Sequence, residues 1–154
     1  LTAESGIFTH GDRHKALTLP NQQSTFGVFI CYESIFPEIT RALMALNPDF
    51  LVNTTNDAWF GTSSAPHQHL AHLALRAVES GRAIVRAANT GISGLIEPNG
   101  RIAYSTPLFE TVTFSVDVPL LKEQTIYALY GDIFLVCCAI FLLTSLLWRQ
   151  RRRK

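Results

Sequence analysis

An uncharged apolar run near the end of the chain is the sequence feature that most constrains its fold. Residues 133–148 have the sequence IFLVCCAIFLLTSLLW, and five of the six residues in 149–154 are Arg or Lys. Sixteen helical residues extend about 24 Å, and extension back to Tyr127 gives the length of about 20 residues that a bilayer crossing requires. The sequence therefore predicts a transmembrane helix over 126–148.

The charges beside this run predict its orientation. Basic residues next to a membrane span stay on the cytoplasmic side. Residues 149–154 are therefore expected to form a cytoplasmic tail, and residues 1–125 to lie across the membrane, in the periplasm of a bacterium. The alternative is a buried C-terminal helix of a soluble fold, which is disfavoured because such a helix rarely carries apolar residues on every face.

Composition excludes several other classes of protein. The 154 residues are 47% apolar and 16% charged, below the roughly 25% charged residues of an ordinary soluble protein, and ten Phe with four Tyr exclude a disordered chain. The three cysteines, Cys31 and the adjacent Cys137 and Cys138, do not form a disulfide framework. Residues 1–148 hold eight basic against twelve acidic residues, which argues against a nucleic-acid partner.

Residues 1–125 have the pattern of a layered α/β domain. Apolar, β-prone runs predict strands, and amphipathic segments that begin with proline predict helices. The predicted strands are 25–30, 50–54, 83–87, 92–96, 101–104 and the half-exposed 112–118, and the predicted helices are 37–45 and 66–80. Residues 1–24 are rich in turn formers and predict a loop with at most one short strand.

Cys31 lies at the end of the first buried strand and shortly before a helix. That position presents a side chain at a sheet edge, where a helix N-terminus favours the thiolate and a backbone N–H can hold an oxyanion. A single cysteine in an apolar strand is also commonly a buried structural thiol. Position alone leaves both interpretations of Cys31 open.

The residues around Cys31 resemble the nucleophile motif of the nitrilase, or carbon–nitrogen hydrolase, superfamily. The order of further motifs looks like one branch of it, the apolipoprotein N-acyltransferases of bacterial lipoprotein maturation. The motifs are 31–38 (CYESIFPE), 53–61 (NTTNDAWFG), 66–69 (PHQH), 76–79 (RAVE) and 86–91 (RAANTG). The resemblance covers roughly residues 20–148, including the membrane helix.

This resemblance implies an αββα sandwich with a Glu–Lys–Cys triad, outside the bacterial inner membrane. The cysteine takes an acyl chain from a phospholipid as a thioester and passes it to the α-amine of an apolipoprotein's N-terminal diacylglyceryl-cysteine. Carried onto this chain, Cys31 is the nucleophile, the Tyr32 N–H helps bind the oxyanion, and Glu33 with the Tyr32 side chain supports the pocket. Trp59 and Phe60 line the acyl-chain entrance. The lipid bilayer is a further partner, and no cofactor, metal or nucleic acid is implied.

The sequence departs from the family pattern before Cys31. The family's glutamate and lysine precede the cysteine, but the only such residues here, Glu4 and Lys15, lie in no family-like motif and are assigned no catalytic role. The chain is therefore expected to be the C-terminal piece of a longer, multi-pass protein, and to be inactive alone.

Two other functions remain open from the sequence. A membrane-anchored nitrilase-type amidase would hydrolyse small amides with the same cysteine, although the membrane helix, the basic tail and the NDAWFG sequence argue against it. A non-catalytic membrane-tethered domain would explain the absence of the glutamate and lysine.

Several polar residues have both a structural and a functional interpretation. The histidines of the second helix suggest a metal site, but further ligands are not evident, so local hydrogen bonds are expected. A surface ion pair of Arg76 with Glu79 is preferred over contact of the Arg76–Arg86 cluster with phospholipid head groups. The Asn, Asp and Gly residues that follow the strands are expected to form turns in preference to shaping the pocket. The residues concerned are His67, His69 and His72; Arg76, Glu79, Arg82 and Arg86; and Asn56, Asp57, Asn89 and Gly91.

Overall fold

Six strands form one mixed sheet in the computed structural model, which describes residues 11–20 and 23–152. The strands lie side by side in chain order; β2, β3 and β4 are parallel, and the outer pairs are antiparallel. The strands are β1 (Ala16–Thr18), β2 (Thr25–Ile30), β3 (Phe50–Asn56), β4 (Ile84–Asn89), β5 (Gly94–Ile96) and β6 (Ile102–Ser105). The helices are α1 (Pro37–Met44), α2 (Ala65–Ser80), α3 (Ile126–Tyr130) and α4 (Ile133–Arg151), and short 3-10 turns span Cys31–Ile35 and Ala58–Phe60.

The helices α1 and α2 join the parallel strands, α1 between β2 and β3 and α2 between β3 and β4. Pro37 lies in the first turn of α1, as predicted. The N–H groups of a helix's first turn have no intrahelical partner, so proline, which has no N–H, loses no hydrogen bond there. Gly81 ends α2 with φ +66°, a left-handed conformation that glycine adopts without strain.

The hydrophobic core lies between these helices and one face of the sheet. Phe29, Leu51 and Ile84 of the sheet belong to one cluster with Leu43 of α1 and Leu73 of α2, and each is at most 1% exposed. This layered α/β arrangement confirms the predicted fold class.

Two polar residues share that core face. In the strand register Phe29 lies opposite Asn53, and Asn53 lies opposite Arg86, so the three side chains stand in a row across β2, β3 and β4. Asn53 and Arg86 are both fully buried. Buried amides and guanidinium groups need hydrogen-bond partners, so this row marks a polar centre within the core.

One strand prediction is wrong, and several others differ from the structure by one or two residues at an end. Residues 112–118 belong to no strand of the described chain, although Phe114, Val116 and Val118 are half-buried while the residues between them are exposed. The Phe114 ring packs on Tyr104, with ring centroids 4.6 Å apart, so the alternation reflects side-chain packing without strand pairing. The strand predicted at 92–96 is shorter, Gly94–Ile96.

The sequence predictions at the chain ends lie partly outside the described residues. Glu4, half of the loop predicted at 1–24 and the last two basic residues of the tail fall there. The one short strand expected in that loop is β1.

Within the described residues, α4 is the one helix long and apolar enough to cross a membrane. Its 19 residues extend about 28 Å, and none of them is buried. The preceding α3 is separated from it by Gly131, which has φ +61°, and by Asp132. The predicted segment 126–148 thus consists of a short helix and most of a long one.

Buried Arg82 anchors the chain that enters α3. Its guanidinium donates hydrogen bonds to the carbonyl groups of Pro48 and Glu123 and to Oδ1 of Asn47. The side chain is fully buried in protein, so contact of Arg82 with lipid head groups is excluded. Thr125 caps α3 and also donates to the Glu79 carbonyl, which ties the start of α3 to α2.

Candidate active site

The carboxyl ends of the three parallel strands meet at one edge of the sheet. Cys31 directly follows β2, Asp57 directly follows β3, and Asn89 ends β4. The register pairs Ile30 with Thr54 and Asn56 with Asn89, so these ends are adjacent. In open α/β sheets such an edge is where ligands bind.

Cys31 has an unusual backbone conformation at this edge. Its φ is +52°, in the left-handed region that L-residues rarely adopt, and its side chain is half-buried. This conformation turns the chain sharply from β2 into the 3-10 turn Cys31–Ile35. A left-handed non-glycine residue costs about 1–3 kcal/mol, so it persists only where the surroundings hold it.

The carbonyl oxygen of Cys31 is surrounded by polar side chains. Oγ of Ser34 lies 3.2 Å away, Nδ2 of Asn53 3.3 Å away and Nε2 of His69 3.2 Å away. The three residues come from the 3-10 turn, β3 and α2. They are at most 4% exposed, so the peptide group after Cys31 is held from the interior of the domain.

His69 connects this carbonyl to a buried ion pair. Its Nδ1 lies 3.2 Å from Oδ1 of Asp57 and 3.2 Å from Nη2 of Arg86, and Nη2 donates to Oδ2 of Asp57 at 2.6 Å. Arg86 also donates to Oδ1 of Asn53 at 2.7 Å and to the Ile92 carbonyl at 2.9 Å. We call Asn53, Asp57, His69 and Arg86 the Arg86 network.

The electrostatics of the network favour a neutral His69. Burial lowers the pKa of His69, and the nearby Arg86 cation lowers it further, while Asp57 opposes both effects. A neutral imidazole has a single N–H. We assign it to Nε2, which faces the Cys31 carbonyl at 3.2 Å and Oγ of Ser34 at 3.0 Å. Nδ1 then accepts from Nη2 of Arg86, and Oδ1 of Asp57, 3.2 Å from Nδ1, accepts from Thr55 Oγ1 instead.

The Asp57 carboxylate depends on a glycine for space. A Cβ atom at position 91 would overlap Oδ2 of Asp57, so only glycine fits at Gly91. Oδ1 of the same carboxylate accepts a hydrogen bond from Thr55 Oγ1 at 3.0 Å. Asp57 and Gly91 therefore act in the buried centre, and their interpretation as turn residues is incomplete.

The structure brings the five predicted site residues to the same sheet edge. Tyr32 follows Cys31 and is 55% exposed, with its ring centroid 6.1 Å from that of His69. Glu33 accepts the Ile30 N–H at 2.8 Å and so closes the turn around Cys31. Trp59 and Phe60 lie in the 3-10 turn after Asp57, where Trp59 is 73% exposed and Phe60 packs edge-on to His69.

Sequence reasoning missed the Arg86 network. His69 is 4% exposed and bonds to residues 12 to 38 positions away, so the expectation of local hydrogen bonds is wrong for it. A lipid contact of Arg86 is excluded because its side chain is fully buried. The sequence does contain a signal for the burial of His69. It precedes Leu73 and Ala77 by four and eight residues, and this spacing places it on the buried face of α2.

The other predicted polar contacts are mostly found. Arg76 and Glu79 form the expected ion pair, 2.9 Å between Nη2 and Oε1, but Arg76 is buried and Glu79 half-buried, so the pair is not fully on the surface. Burial raises the pKa of Glu79 despite the opposing Arg76 cation. In residues 11–20 and 23–152, no group of three or more His, Cys, Asp or Glu side chains is arranged to hold a metal ion.

Comparison with known proteins gives the class that this fold and site belong to. Residues 2–126 match the carbon-nitrogen hydrolase family, and the chain belongs to that family. Its sequence is similar to the apolipoprotein N-acyltransferase of Geobacter metallireducens, 43% identical over 138 residues, and to that of Shewanella oneidensis, 42% identical over 125 residues. The alignments cover 90% and 80% of this chain but 26% and 24% of the relatives, so the chain spans about a quarter of their length.

A solved structure shares the fold. An amidase from Nesterenkonia sp. matches with a TM-score of 0.55 and 22% identity, over 66% of this chain and 40% of the amidase. Another solved structure, of a mutant of the amidase from Nesterenkonia sp. AN1, shows covalent addition of the acetamide moiety of fluoroacetamide at its active site cysteine.

Replacement of Asp57 by asparagine tests the buried ion pair. The change leaves the Arg86 cation buried without its carboxylate, so we expect the free energy of unfolding to fall by about 3–5 kcal/mol. Urea denaturation in detergent, followed by pulse proteolysis, measures it. Glu97→Gln is the control, since it removes the exposed ion pair with Arg101 and is expected to change stability very little. Equal stability of the two variants would contradict the structure.

The buried His69 predicts a pH-dependent stability. Its pKa in the folded protein is lower than the usual value near 6.5, so the unfolded chain takes up the proton first as the pH falls. The His69 contribution is therefore complete above about pH 6.5 and is lost progressively below it. Between pH 7.5 and 5, urea denaturation is expected to show that the free energy of unfolding falls less in His69→Gln than in the wild type. His72→Gln, the same change at an exposed position of α2, is expected to behave like the wild type. If the free energy of unfolding of His69→Gln fell with pH as much as that of the wild type, the prediction would be refuted.

Proposed function

We propose that this chain is the nucleophile-bearing part of an apolipoprotein N-acyltransferase that works through a thioester on Cys31. The observation that carries the proposal is the position of Cys31, a left-handed residue at the carboxyl end of a parallel strand in a chain of the carbon–nitrogen hydrolase family. The names of the relatives supply acyl transfer as the reaction class.

The proposed reaction has two steps. In the first, Sγ of Cys31 attacks the ester carbonyl carbon of a phospholipid acyl chain, the C–O bond breaks, and the alcohol oxygen leaves with a proton as lysophospholipid. In the second, the α-amine of an apolipoprotein's N-terminal diacylglyceryl-cysteine attacks the thioester, the C–S bond breaks, and the thiol of Cys31 recovers a proton. A thiolate is a strong nucleophile near neutral pH, and the thioester divides one difficult transfer into two easier ones.

The residues around Cys31 are proposed to serve these steps. The Tyr32 N–H stabilises the oxyanion of the tetrahedral intermediate, and Glu33 supports the site by closing the turn. The exposed Trp59 and the half-buried Phe60 give an apolar entrance for acyl chains. The general base and a cationic group are proposed to come from a glutamate and a lysine of a longer protein that contains this chain.

The proposed domain organisation follows the membrane helix. Residues 1–125 form part of the catalytic domain, residues 126–148 cross the bacterial inner membrane, and residues 149–154 form a cytoplasmic tail. The length of α4 approaches the roughly 30 Å of a hydrocarbon layer, and Arg149 and Arg151 lie in its last turn. Positive residues beside a span favour the cytoplasmic side, which supports a periplasmic catalytic domain.

Acyl transfer by protein expressed from the full reading frame that contains these 154 codons tests the proposal. With a phospholipid donor and a diacylglyceryl lipopeptide acceptor, we expect N-acylation that Cys31→Ala abolishes, because the thioester cannot form. Cys31→Ser is expected to trap a less reactive ester. Cys137→Ala, on an exposed position of α4, is the matched control and should retain the activity. Hydrolysis of small amides without acyl transfer would replace the proposal with an amidase, and full activity of Cys31→Ala would refute it.

A further inference from the structure

We infer that the Arg86 network positions the oxyanion donor by fixing the peptide plane between Cys31 and Tyr32. The inference rests on the proposed function, in which the Tyr32 N–H binds the oxyanion. It assigns His69 and Asn53 as positioning residues that act through the backbone of Cys31.

The peptide group between Cys31 and Tyr32 links the Cys31 oxygen to the proposed oxyanion donor. The carbonyl of Cys31 and the N–H of Tyr32 belong to the same planar unit, and the described chain contains no cis peptide bonds. In a trans peptide the C=O and N–H bonds point in opposite directions. Whatever holds the Cys31 oxygen therefore also directs the Tyr32 N–H.

Three buried side chains hold the Cys31 oxygen. Ser34, Asn53 and His69 approach it at 3.2–3.3 Å, and all three are buried. The oxygen thus faces the interior, so the Tyr32 N–H points away from the network, toward the open side of the edge where the Tyr32 ring is exposed. A substrate that reaches Cys31 from solvent approaches from this side.

The ion pair of Arg86 with Asp57 orients His69 toward the Cys31 carbonyl. Arg86 is fixed by Asp57, by Asn53 and by the Ile92 carbonyl, and it places an N–H beside Nδ1 of His69. In the tautomer assigned to His69, Nδ1 accepts from Arg86, and Nε2 carries the N–H that faces the Cys31 carbonyl and Oγ of Ser34. The buried charge therefore determines which way a peptide group two contacts away is turned, and it offsets the cost of the left-handed Cys31.

Two reactions of the same thiol separate this role from a general structural one. Thioester formation passes through a tetrahedral oxyanion, whereas alkylation of Sγ by iodoacetamide is a direct displacement without one. A misdirected Tyr32 N–H slows only the first reaction. Loss of the fold, or a displaced thiol, changes the rates of both, since unfolding exposes the half-buried Sγ to the reagent and abolishes acylation.

The experiment compares His69→Phe with His69→Gln in protein expressed from the full reading frame. Phenylalanine keeps a ring but has no N–H, so we expect thioester formation from a phospholipid with a labelled acyl chain to slow about 10- to 100-fold, chiefly in kcat. The alkylation rate of Cys31, measured by mass spectrometry of its peptide, is expected to change less than about threefold. Glutamine offers an amide N–H and is expected to recover most of the lost acylation rate. His72→Phe, at an exposed position of the same helix, is the matched control.

A second variant protects the test against misfolding of His69→Phe. Ser34→Ala removes a single hydroxyl group from the Cys31 carbonyl, and a several-fold loss of acylation without a loss of alkylation is expected. Equal slowing of both reactions, or an unchanged acylation rate in the folded variants, would overturn the inference. Absence of a thioester in the wild-type protein would instead refute the proposed function, so the two failures are distinguishable.

Discussion

The buried ion pair of Arg86 with Asp57 is the interaction on which the geometry of the site depends. A fully buried guanidinium is costly unless its charge is paired and its N–H groups are bonded, and here Asp57, Asn53 and the Ile92 carbonyl meet that requirement. These partners come from the end of β3, from its interior and from the loop after β4. One charge on β4 thus joins β3, the turn that follows it and the loop after β4.

The same pair reaches the proposed nucleophile through His69. The imidazole lies between the Asp57–Arg86 pair and the Cys31 carbonyl, and the Phe60 ring packs against it edge-on. The strained conformation of Cys31, the turn that carries Tyr32 and Glu33, and the loop that carries Trp59 are therefore parts of one connected structure. The chain that leads into α3 and α4 is joined to the opposite end of α2, where Thr125 donates to the Glu79 carbonyl and buried Arg82 donates to that of Glu123.

Much of the fold follows from patterns in the sequence. Apolar runs located the parallel strands, proline at the start of α1 located its first turn, and the uncharged run located α4, because each pattern reflects local geometry. The segment 112–118 was mistaken for a strand because alternation of exposure does not require a strand partner. Phe114 obtains the same burial by packing on Tyr104.

The candidate site was only partly predictable. Cys31, Tyr32 and Glu33 were recognisable from a short motif, since they are contiguous. Asn53, Asp57, His69 and Arg86 are separated by up to 33 positions, and their polarity favours surface or turn roles when each is considered alone. Their common function becomes visible only when the parallel register and the buried face of α2 bring them together.

The location of the acyl group in the working protein decides whether Cys31 is the nucleophile. Protein from the full reading frame is incubated with a labelled phospholipid without acceptor, digested, and mapped by mass spectrometry before and after hydroxylamine. We expect one hydroxylamine-sensitive acyl group on the peptide that contains Cys31. An acyl group on the peptide of Cys137 and Cys138, or none on Cys31 in protein that acylates a lipopeptide, would contradict it.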